Sequence, residues 1–217
     1  MTDDDPTEPA ATGGAGGAAV RPSVLALTVL ALLAYEPLHP YRMQRLMQLW
    51  GKDRVVNVGQ RANLYKTIRR LLDGGLIAVR QTERDQQYPE RTVYELTEAG
   101  RAASVTWLEE MVARPRPEFP EFPAALSFLM LLGPGAAAAR LAERAEAVRG
   151  ALAALEADLA GEYGRRLPRV TMIETEYLRA VTAAELRWLE AVIADLADGT
   201  FTWSRDELAA AADDDGR

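Results

Sequence analysis

The fold of this chain is decided by one stretch, which reads Asn63-Leu-Tyr-Lys-Thr-Ile-Arg-Arg-Leu-Leu-Asp73 and continues into Gly74-Gly75. Its apolar residues recur at steps of three and four, which predicts a helix, and the two glycines predict where that helix ends. Two short segments follow, residues 76–81 and 91–96. Their β-branched and aromatic residues predict the two strands of a β-hairpin, with a polar, arginine-containing loop between them.

The residues on either side of this stretch predict three more helices. Ser23 is suited to cap a helix that runs to about residue 34, and Glu36-Pro-Leu-His-Pro40 ends it. A second helix is predicted from about Tyr41, the third covers about residues 60–73, and Thr97 is suited to cap a fourth that reaches about residue 113. Helices and hairpin in this order are typical of a winged helix-turn-helix, so we predict that fold for residues 23–113.

The remainder of the chain predicts a second, helical domain. Alternating prolines in residues 114–123 favour an extended linker, because proline cannot continue a helix. Residues 124–132, 136–160 and 169–197 have helical patterns, and we assign a dimerisation and effector domain to residues 124–203. The compositions of residues 1–22 and 204–217 predict an N-terminal tail and an acidic C-terminal tail without fixed structure. The predicted fold class is therefore mostly α with a small β-hairpin.

Composition narrows the function classes. The chain has 217 residues with no cysteine and one histidine, which excludes a disulfide framework, a thiolate metal site and a cysteine nucleophile. The lone His39 lies between prolines, and we expect a structural role in a turn rather than metal ligation. No phosphate-binding glycine loop, metal-ligand cluster or nucleophile motif is found. We therefore predict that the protein is not an enzyme and that it needs no cofactor or metal.

Local charge points to nucleic acid although the net charge of the chain is −7. Residues 23–96 contain eleven Lys and Arg against seven Asp and Glu, and phosphate contacts depend on local charge, since salt screens charges over about 10 Å. The apolar runs are shorter than the roughly 20 residues that span a bilayer, and the N-terminal residues are acidic rather than cationic. We expect double-stranded DNA as the partner, no membrane association and a cytoplasmic location.

The third helix divides into a core face and an outer face when its residues are projected at about 100° per position. Asn63 is able to pair with adenine, and Lys66 or Arg70 can reach guanine or phosphate. The predicted DNA contacts, taken from the second helix, the third helix and the hairpin, are Tyr41, Arg42, Arg45, Ala62, Asn63, Tyr65, Lys66, Arg69, Arg70, Arg84 and Arg91. Two alternatives stay open: the cations merely solvate an outer face, and the Tyr65 ring is purely structural.

Three motifs resemble the PadR family of bacterial transcriptional regulators. Leu27-Thr-Val-Leu-Ala-Leu-Leu33 with Pro37-Leu-His-Pro-Tyr41 is similar to the family's first helix and turn, with Pro40 in place of the usual glycine. Leu64-Tyr65 with Gly75-Leu-Ile77 resembles its recognition-helix signature, and Tyr94-Glu-Leu-Thr-Glu-Ala-Gly-Arg101 resembles its strand-to-helix exit. The resemblance implies a sequence-specific DNA-binding regulator, a homodimeric repressor that a small, often aromatic effector or a partner releases from DNA.

The resemblance also implies that the C-terminal helices pair, and the helix predicted at residues 169–197 has the most regular apolar stripe. Its Ile173, Tyr177, Val181, Trp188 and Val192 are the predicted dimer contacts, so that two winged domains read a palindromic operator. Alternatively, this stripe packs only within its own subunit.

Two further hypotheses concern a ligand and a rival function. Trp107, Trp188 and Trp203 are candidates to line an effector pocket, although aromatic residues at helical spacing are often plain core. The rival function is that of a winged-helix protein-interaction module that does not bind DNA, because fold alone does not establish function. The face of the third helix formed by Asn63, Lys66 and Arg70 discriminates between the two functions.

Overall fold

The structure is a computed structural model that describes residues 20–57, 61–83, 91–204 and 207. The chain divides into two compact units, residues 1–117 and 118–217, and the predicted tails fall largely outside the described ranges. In chain order, the first unit contains α1 (Val24–Leu33), α2 (Pro40–Leu49), a 3₁₀ turn (Lys52–Arg54), α3 (Arg61–Asp73), β1 (Ile77–Glu83), β2 (Arg91–Leu96) and α4 (Glu98–Ala113). The predicted fold class, mostly α with one hairpin in a winged helix-turn-helix, is confirmed.

Helix α1 lies at the centre of the first unit. The hydroxyl of Ser23 accepts a hydrogen bond from the amide of Ala26 over 3.2 Å, so Ser23 caps the helix. Val29 and Leu30 are fully buried, and they pack in one core with apolar residues of α2, α3, β1 and α4. Burying one aliphatic side chain of this size stabilises a fold by about 1.5–3 kcal/mol, so this core holds α3 beside the hairpin.

The turn between α1 and α2 attaches both helices to the hairpin. Leu38 and Tyr94 of β2 exchange two backbone hydrogen bonds, each of 3.0 Å, so Leu38 extends the sheet by one short segment. His39 then caps α2, because its Nδ1 accepts a hydrogen bond from the amide of Arg42 over 3.2 Å. Pro40 occupies the first turn of α2, where its missing N–H has no helical partner to lose.

Thr97 fastens the start of α4 to the end of α3. Gly75 has a φ of 69°, which residues with a side chain rarely adopt, and this turns the chain from α3 towards β1. The Thr97 hydroxyl donates a hydrogen bond to the carbonyl oxygen of Gly75 over 2.8 Å and accepts one from the amide of Gly100 over 3.0 Å. One side chain therefore caps α4 and closes the base of the hairpin.

The hairpin is antiparallel and has one irregularity. Pairing runs from Ile77 opposite Leu96 to Val79 opposite Tyr94, and it resumes with Gln81 opposite Val93. Arg80 is the extra residue in this register, so it is the bulged residue of β1. Bulges redirect side chains and increase the local twist of a strand, and the sequence pattern did not predict this one.

The second unit is built on two long helices. Its elements are α5 (Glu121–Leu126), a 3₁₀ turn (Leu129–Leu131), α6 (Pro134–Ala160), α7 (Glu162–Arg166), a second 3₁₀ turn (Arg169–Thr171) and α8 (Ile173–Asp198). Arg144 pairs with Glu185, and Arg179 pairs with Glu156, so α6 and α8 run antiparallel. Within the described ranges, no helix has both the length and the apolar character that a membrane span requires.

Two predictions for the start of this unit are corrected. The extended linker ends before residue 123, because α5 begins at Glu121; Pro123 lies in its first turn, where helical N–H groups have no intrahelical partner. The single helix predicted over residues 124–132 breaks in two. The amide of Phe128 bonds to the carbonyl of Ala125, which is the tighter 3₁₀ pattern that short helical segments adopt.

Candidate nucleic-acid interface

The outer face of α3 carries three exposed cations. The buried side of the helix is formed by Leu64, Thr67, Ile68 and Leu71. Opposite them, Lys66, Arg69 and Arg70 are all exposed. At about 100° per residue, Lys66 lies at the centre of this outer face with Arg69 and Arg70 on either side, so Arg69 is as central as Arg70. Among the described residues, neither Lys66 nor Arg69 has a carboxylate within ion-pairing distance.

The first turn of α3 presents smaller side chains. Ala62 and Asn63 are exposed, and Tyr65 is 56 % exposed. Because more than half of Tyr65 faces solvent, its ring contributes less to packing than a purely structural role requires. The small Ala62 leaves room for the helix to approach a groove closely, and contact with DNA by these residues stays a prediction.

Arg70 has an internal role that the sequence did not reveal. Its Nη2 donates a hydrogen bond to the carbonyl oxygen of Arg21 over 3.2 Å. Just beyond α3, Val20 packs so closely on Gly74 that a Cβ atom on this glycine would clash with it. The segment that precedes α1 is therefore held on the C-terminal end of α3. Replacing Arg70 would disturb this anchor as well as any DNA contact, which makes Lys66 and Arg69 the cleaner probes.

Helix α2 exposes all three of its predicted DNA-contacting residues, Tyr41, Arg42 and Arg45. Arg42 Nη2 lies 2.9 Å from Glu36 Oε1, in an exposed ion pair of a type that contributes about 0–1 kcal/mol. A phosphate can therefore replace Glu36 at little cost. The Tyr41 ring stacks on His39 with the ring centroids 6.2 Å apart, so the first turn of α2 has a defined surface.

The two wing arginines named from the sequence stay predictions. Arg84 lies outside the described residues, and Arg91 is the first residue of β2. The structure instead shows a wing cation that sequence reasoning missed. Arg80 lines an open cleft of about 360 Å³ together with Glu36, His39 and Arg42. Strand alternation gives no sign of a bulge, so no sequence signal could have placed Arg80 beside Arg42.

Arg80 is weakly held by its own domain. Its Nη1 lies 3.9 Å from Glu95 Oε2, and both side chains are about half exposed. This distance is close to the outer limit for an ion pair, and the exposure reduces its strength further. Arg80 is therefore available to a partner that approaches the hairpin from the side of α2.

In the second unit, α8 has two separate apolar faces. Leu186 and Leu189 pack against α6 in the internal cluster, with Val192 partly buried beside them. Four of the residues predicted for dimerisation lie on the other face: Ile173, Tyr177, Val181 and Trp188 are 49, 68, 48 and 44 % exposed. Val192 therefore packs within its own subunit, whereas these four side chains stay partly exposed there. Their role in dimerisation stays a prediction.

A chain of aromatic and charged contacts holds Trp188 at the surface. Its ring meets the Phe122 ring edge-on, with centroids 6.2 Å apart, and the Arg144 guanidinium lies 3.5 Å from the centroid of the Phe122 ring. Arg144 Nε also donates a hydrogen bond to Glu185 Oε1 over 2.7 Å. These contacts join α5, α6 and α8, so Trp188 is held in place by side chains of two neighbouring helices.

A second ionic contact supports the start of α8. Arg169 Nη2 donates to Glu176 Oε2 over 2.8 Å, and its Nε donates to Glu176 Oε1 over 3.0 Å. These hydrogen bonds hold the pKa of the Glu176 carboxyl below its usual value and raise the pKa of Arg169. The 3₁₀ turn before α8 is thereby tied to the part of the helix that carries Ile173 and Tyr177.

The three tryptophans predicted for an effector pocket have different surroundings. Trp107 is 8 % exposed and belongs to the core of the first unit, so it is not the wall of an open pocket. Trp203 donates its indole N–H to the carbonyl oxygen of Leu132 over 3.0 Å, and its ring contacts Phe201. Trp188 and Trp203 remain candidates for ligand contact within the second unit.

Comparison with known proteins agrees with this geometry. A family model described as "Transcriptional regulator PadR-like family" matches residues 29–105, which run from α1 through α3 and the hairpin into α4. The resemblance to the PadR family that the motifs predicted is thereby confirmed for these residues. A comparison with curated proteins gives no match.

Solved structures share the fold across both units. Bacillus subtilis PadR in complex with operator DNA has 19 % identity and a TM-score of 0.67, over 80 % of this chain and 99 % of that chain. The same protein in complex with p-coumaric acid has 19 % identity and a TM-score of 0.62, with the same coverage. The Vibrio cholerae virulence activator AphA has 21 % identity and a TM-score of 0.59, over 80 % of this chain and 98 % of that chain.

Proposed function

We propose that the protein is a sequence-specific DNA-binding transcriptional regulator. The observation that carries this proposal is the exposed face of α3, where Lys66 and Arg69 stand without a described carboxylate partner beside a β-hairpin. A recognition helix of this kind enters the major groove while the preceding helix crosses the phosphate backbone. The structural neighbour solved with operator DNA supports the same mode of binding. Such a regulator would act in the cytoplasm.

We propose further that it binds DNA as a homodimer. The support is the exposed stripe of α8, in which Tyr177 and Val181 lack partners that would cover them within the described part of the chain. A stripe of large exposed apolar residues is unusual on a monomer and marks a contact surface. Two copies related by a two-fold axis would present two α3 helices to a palindromic operator. The dimer would therefore make twice as many DNA contacts as one winged domain.

We propose, third, that the protein is a repressor and that a small aromatic effector releases it from DNA. The support is the neighbour solved with p-coumaric acid, together with the surface that Phe122, Arg144 and Trp188 form here. Aromatic rings and a guanidinium are groups suited to an aromatic acid. A reporter fused to the operator tests this: higher expression on deleting the regulator supports repression. Lower expression supports activation, the role named for the virulence activator AphA.

The decisive experiment measures operator binding by variants of α3. Genomic footprinting with the purified protein first identifies the operator, and gel shifts then compare the wild type with Lys66→Ala/Arg69→Ala. Each lost base or phosphate contact costs about 1–3 kcal/mol, so we expect affinity to fall by at least about 30-fold. Arg140→Ala is the control, because Arg140 lies on α6 and pairs only with Glu143 among the described residues.

Two results would contradict the proposed function. Wild-type affinity in Lys66→Ala/Arg69→Ala, with folding confirmed by circular dichroism, would remove α3 from the interface. A flat response of affinity to salt would favour the protein-interaction module, because neutralising several phosphates makes affinity fall steeply as salt rises.

A further inference from the structure

The two described residues before Pro22, Val20 and Arg21, contact α3 and the turn that follows it. The carbonyl oxygen of Arg21 accepts the hydrogen bond from Arg70, and Val20 packs against Gly74 and the core of the first unit. Residue 20 is the first that the structure describes, so the chain that precedes it is attached beside the outer face of α3.

The chain that precedes Val20 and the outer face of α3 carry opposite charges. Asp3, Asp4, Asp5 and Glu8 give the preceding chain four carboxylates, and it has no Lys or Arg before Arg21. The outer face of α3 offers Lys66 and Arg69, for which the described residues supply no carboxylate partner. A segment whose charged side chains are all acidic is thus tethered beside a surface with a positive excess.

The distances allow contact. Eleven residues lie between Glu8 and Val20, and an extended chain over these positions spans up to about 40 Å. Helix α3 has 13 residues, which corresponds to a length of about 20 Å. The carboxylates can therefore reach every exposed cation of the helix from the anchor at Arg70.

We propose that the acidic segment from Asp3 to Glu8 docks on the outer face of α3 of the same chain and competes there with DNA phosphates for Lys66 and Arg69. The docking itself depends only on this chain, whereas the competition rests on the proposed function. Tethering makes the contact intramolecular, with an effective concentration in the millimolar range. The segment then lowers the apparent affinity for DNA by the fraction of molecules in which it covers the helix.

This competition would act as a filter for specificity. Non-specific DNA is held through its phosphates alone. The carboxylates of the acidic segment compete with these phosphates for the same cations. An operator adds base contacts that the segment cannot replace. The segment lowers both affinities by the same factor, so weak non-specific complexes dissociate at protein concentrations at which the tighter operator complex persists.

Zero-length carbodiimide coupling tests the docking without DNA. The chain has only two lysines, Lys52 and Lys66, so a carboxylate that contacts α3 has one amine to react with there. We expect mass spectrometry to find Lys66 joined to the segment from Asp3 to Glu8 in about 50 mM salt, in a product with the mobility of one chain. Raising the salt to about 500 mM should suppress this product, because it screens the attraction.

Lys66→Arg is the matched control, since it keeps the charge and removes the reactive amine. The docking is overturned if Lys66 gives no product with the segment, if Lys52 gives the same yield, or if the product joins two chains.

Fluorescence anisotropy with a random-sequence 30-base-pair duplex tests the competition. We expect Asp3→Asn/Asp4→Asn/Asp5→Asn/Glu8→Gln to bind about 3- to 10-fold more tightly than the wild type in about 50 mM salt. The difference should fall below two-fold in about 300 mM salt. Asp213→Asn/Asp214→Asn/Asp215→Asn removes three carboxylates elsewhere and should change affinity by less than two-fold.

The outcomes separate this inference from the proposed function. Equal tightening by both neutralised variants would indicate a general effect of net charge and would overturn the competition. Operator binding that persists without a Lys66 cross-link and without a difference between variants would overturn the docking alone. A Lys66 cross-link in a protein that binds no DNA would support the docking while the proposed function fails.

Discussion

The carbonyl oxygen of Leu76 lies against the α-carbon of Gly100, so closely that a Cβ atom on this glycine would overlap it. The same carbonyl accepts a hydrogen bond from the amide of Thr97 over 3.3 Å. The first turn of α4 and the start of the hairpin are therefore packed backbone to backbone, which leaves room only for glycine at position 100.

We predict that Gly100→Ala destabilises the first unit by more than about 2 kcal/mol, because the backbone must move to admit a methyl group. Gly150→Ala is the control: Gly150 lies within α6 with open space around it, and alanine there should stabilise by about 0.5–1 kcal/mol. Urea unfolding of both variants measures the change. A Gly100→Ala protein as stable as the wild type would show that this contact is not close in solution.

The cap that His39 provides to α2 gives a second prediction. His39→Leu removes the acceptor for the amide of Arg42 and should lower the free energy of unfolding by about 1 kcal/mol, whereas His39→Asn keeps a capping side chain and should be nearly neutral. Thermal unfolding compares the two. Equal losses in both variants would mean that the imidazole ring, through its stacking on Tyr41, matters more than the cap.

Arg80 is predicted to contact a DNA phosphate from the bulge in β1. Arg80→Ala should weaken binding to different DNA sequences by a similar factor and should reduce the slope of log affinity against log salt by about 1. Arg80→Lys preserves the charge and should retain most of the affinity. Anisotropy titrations at several salt concentrations give the slope, and a slope unchanged in Arg80→Ala would exclude the contact.

The two faces of α8 should respond differently to substitution. Tyr177→Lys/Val181→Glu places charges in the exposed stripe and should give monomers with unchanged helicity, measured by light scattering after size exclusion at micromolar concentration. Leu189→Ala opens a cavity in the internal cluster and should cost about 2–5 kcal/mol of stability. A wild-type protein that is itself monomeric at this concentration would refute the dimer.

The Arg169–Glu176 contact predicts a pH dependence at the start of α8. Because these hydrogen bonds lower the pKa of the Glu176 carboxyl in the folded state, their stabilising effect is present above the usual carboxyl pKa and is lost as the pH falls through the lowered value. NMR titration should find the pKa of Glu176 below that of exposed glutamates, and Arg169→Ala should restore it. A normal pKa in the wild type would show that the contact does not persist.

Local patterns were sufficient to predict much of the first unit. The helix at α3, the hairpin and the caps at Ser23 and Thr97 depend on residues within a few positions of each other, so their signals are visible in the sequence. The exposure of Lys66 and Arg69 follows from the same helical period that buries Leu64.

The remaining features depend on contacts that sequence spacing does not encode. Arg70 bonds to Arg21, 49 positions away, so its anchoring role cannot be inferred from the helix alone. The bulge at Arg80 adds a residue to one strand without changing its composition. The sequence of α8 shows one regular apolar stripe. In the structure, Leu186 and Leu189 of α8 pack against α6, whereas Tyr177 is left exposed. Packing against α6 decides which face of α8 is internal.

The separation of Leu189 from Tyr177 on α8 has an evolutionary consequence. Since one set of side chains maintains the subunit and another would meet the partner in the proposed dimer, mutations in the second set can alter pairing preference while the tertiary structure survives. Paralogous regulators in one cell can diverge in this way until each assembles only with itself, which keeps their regulons from mixing.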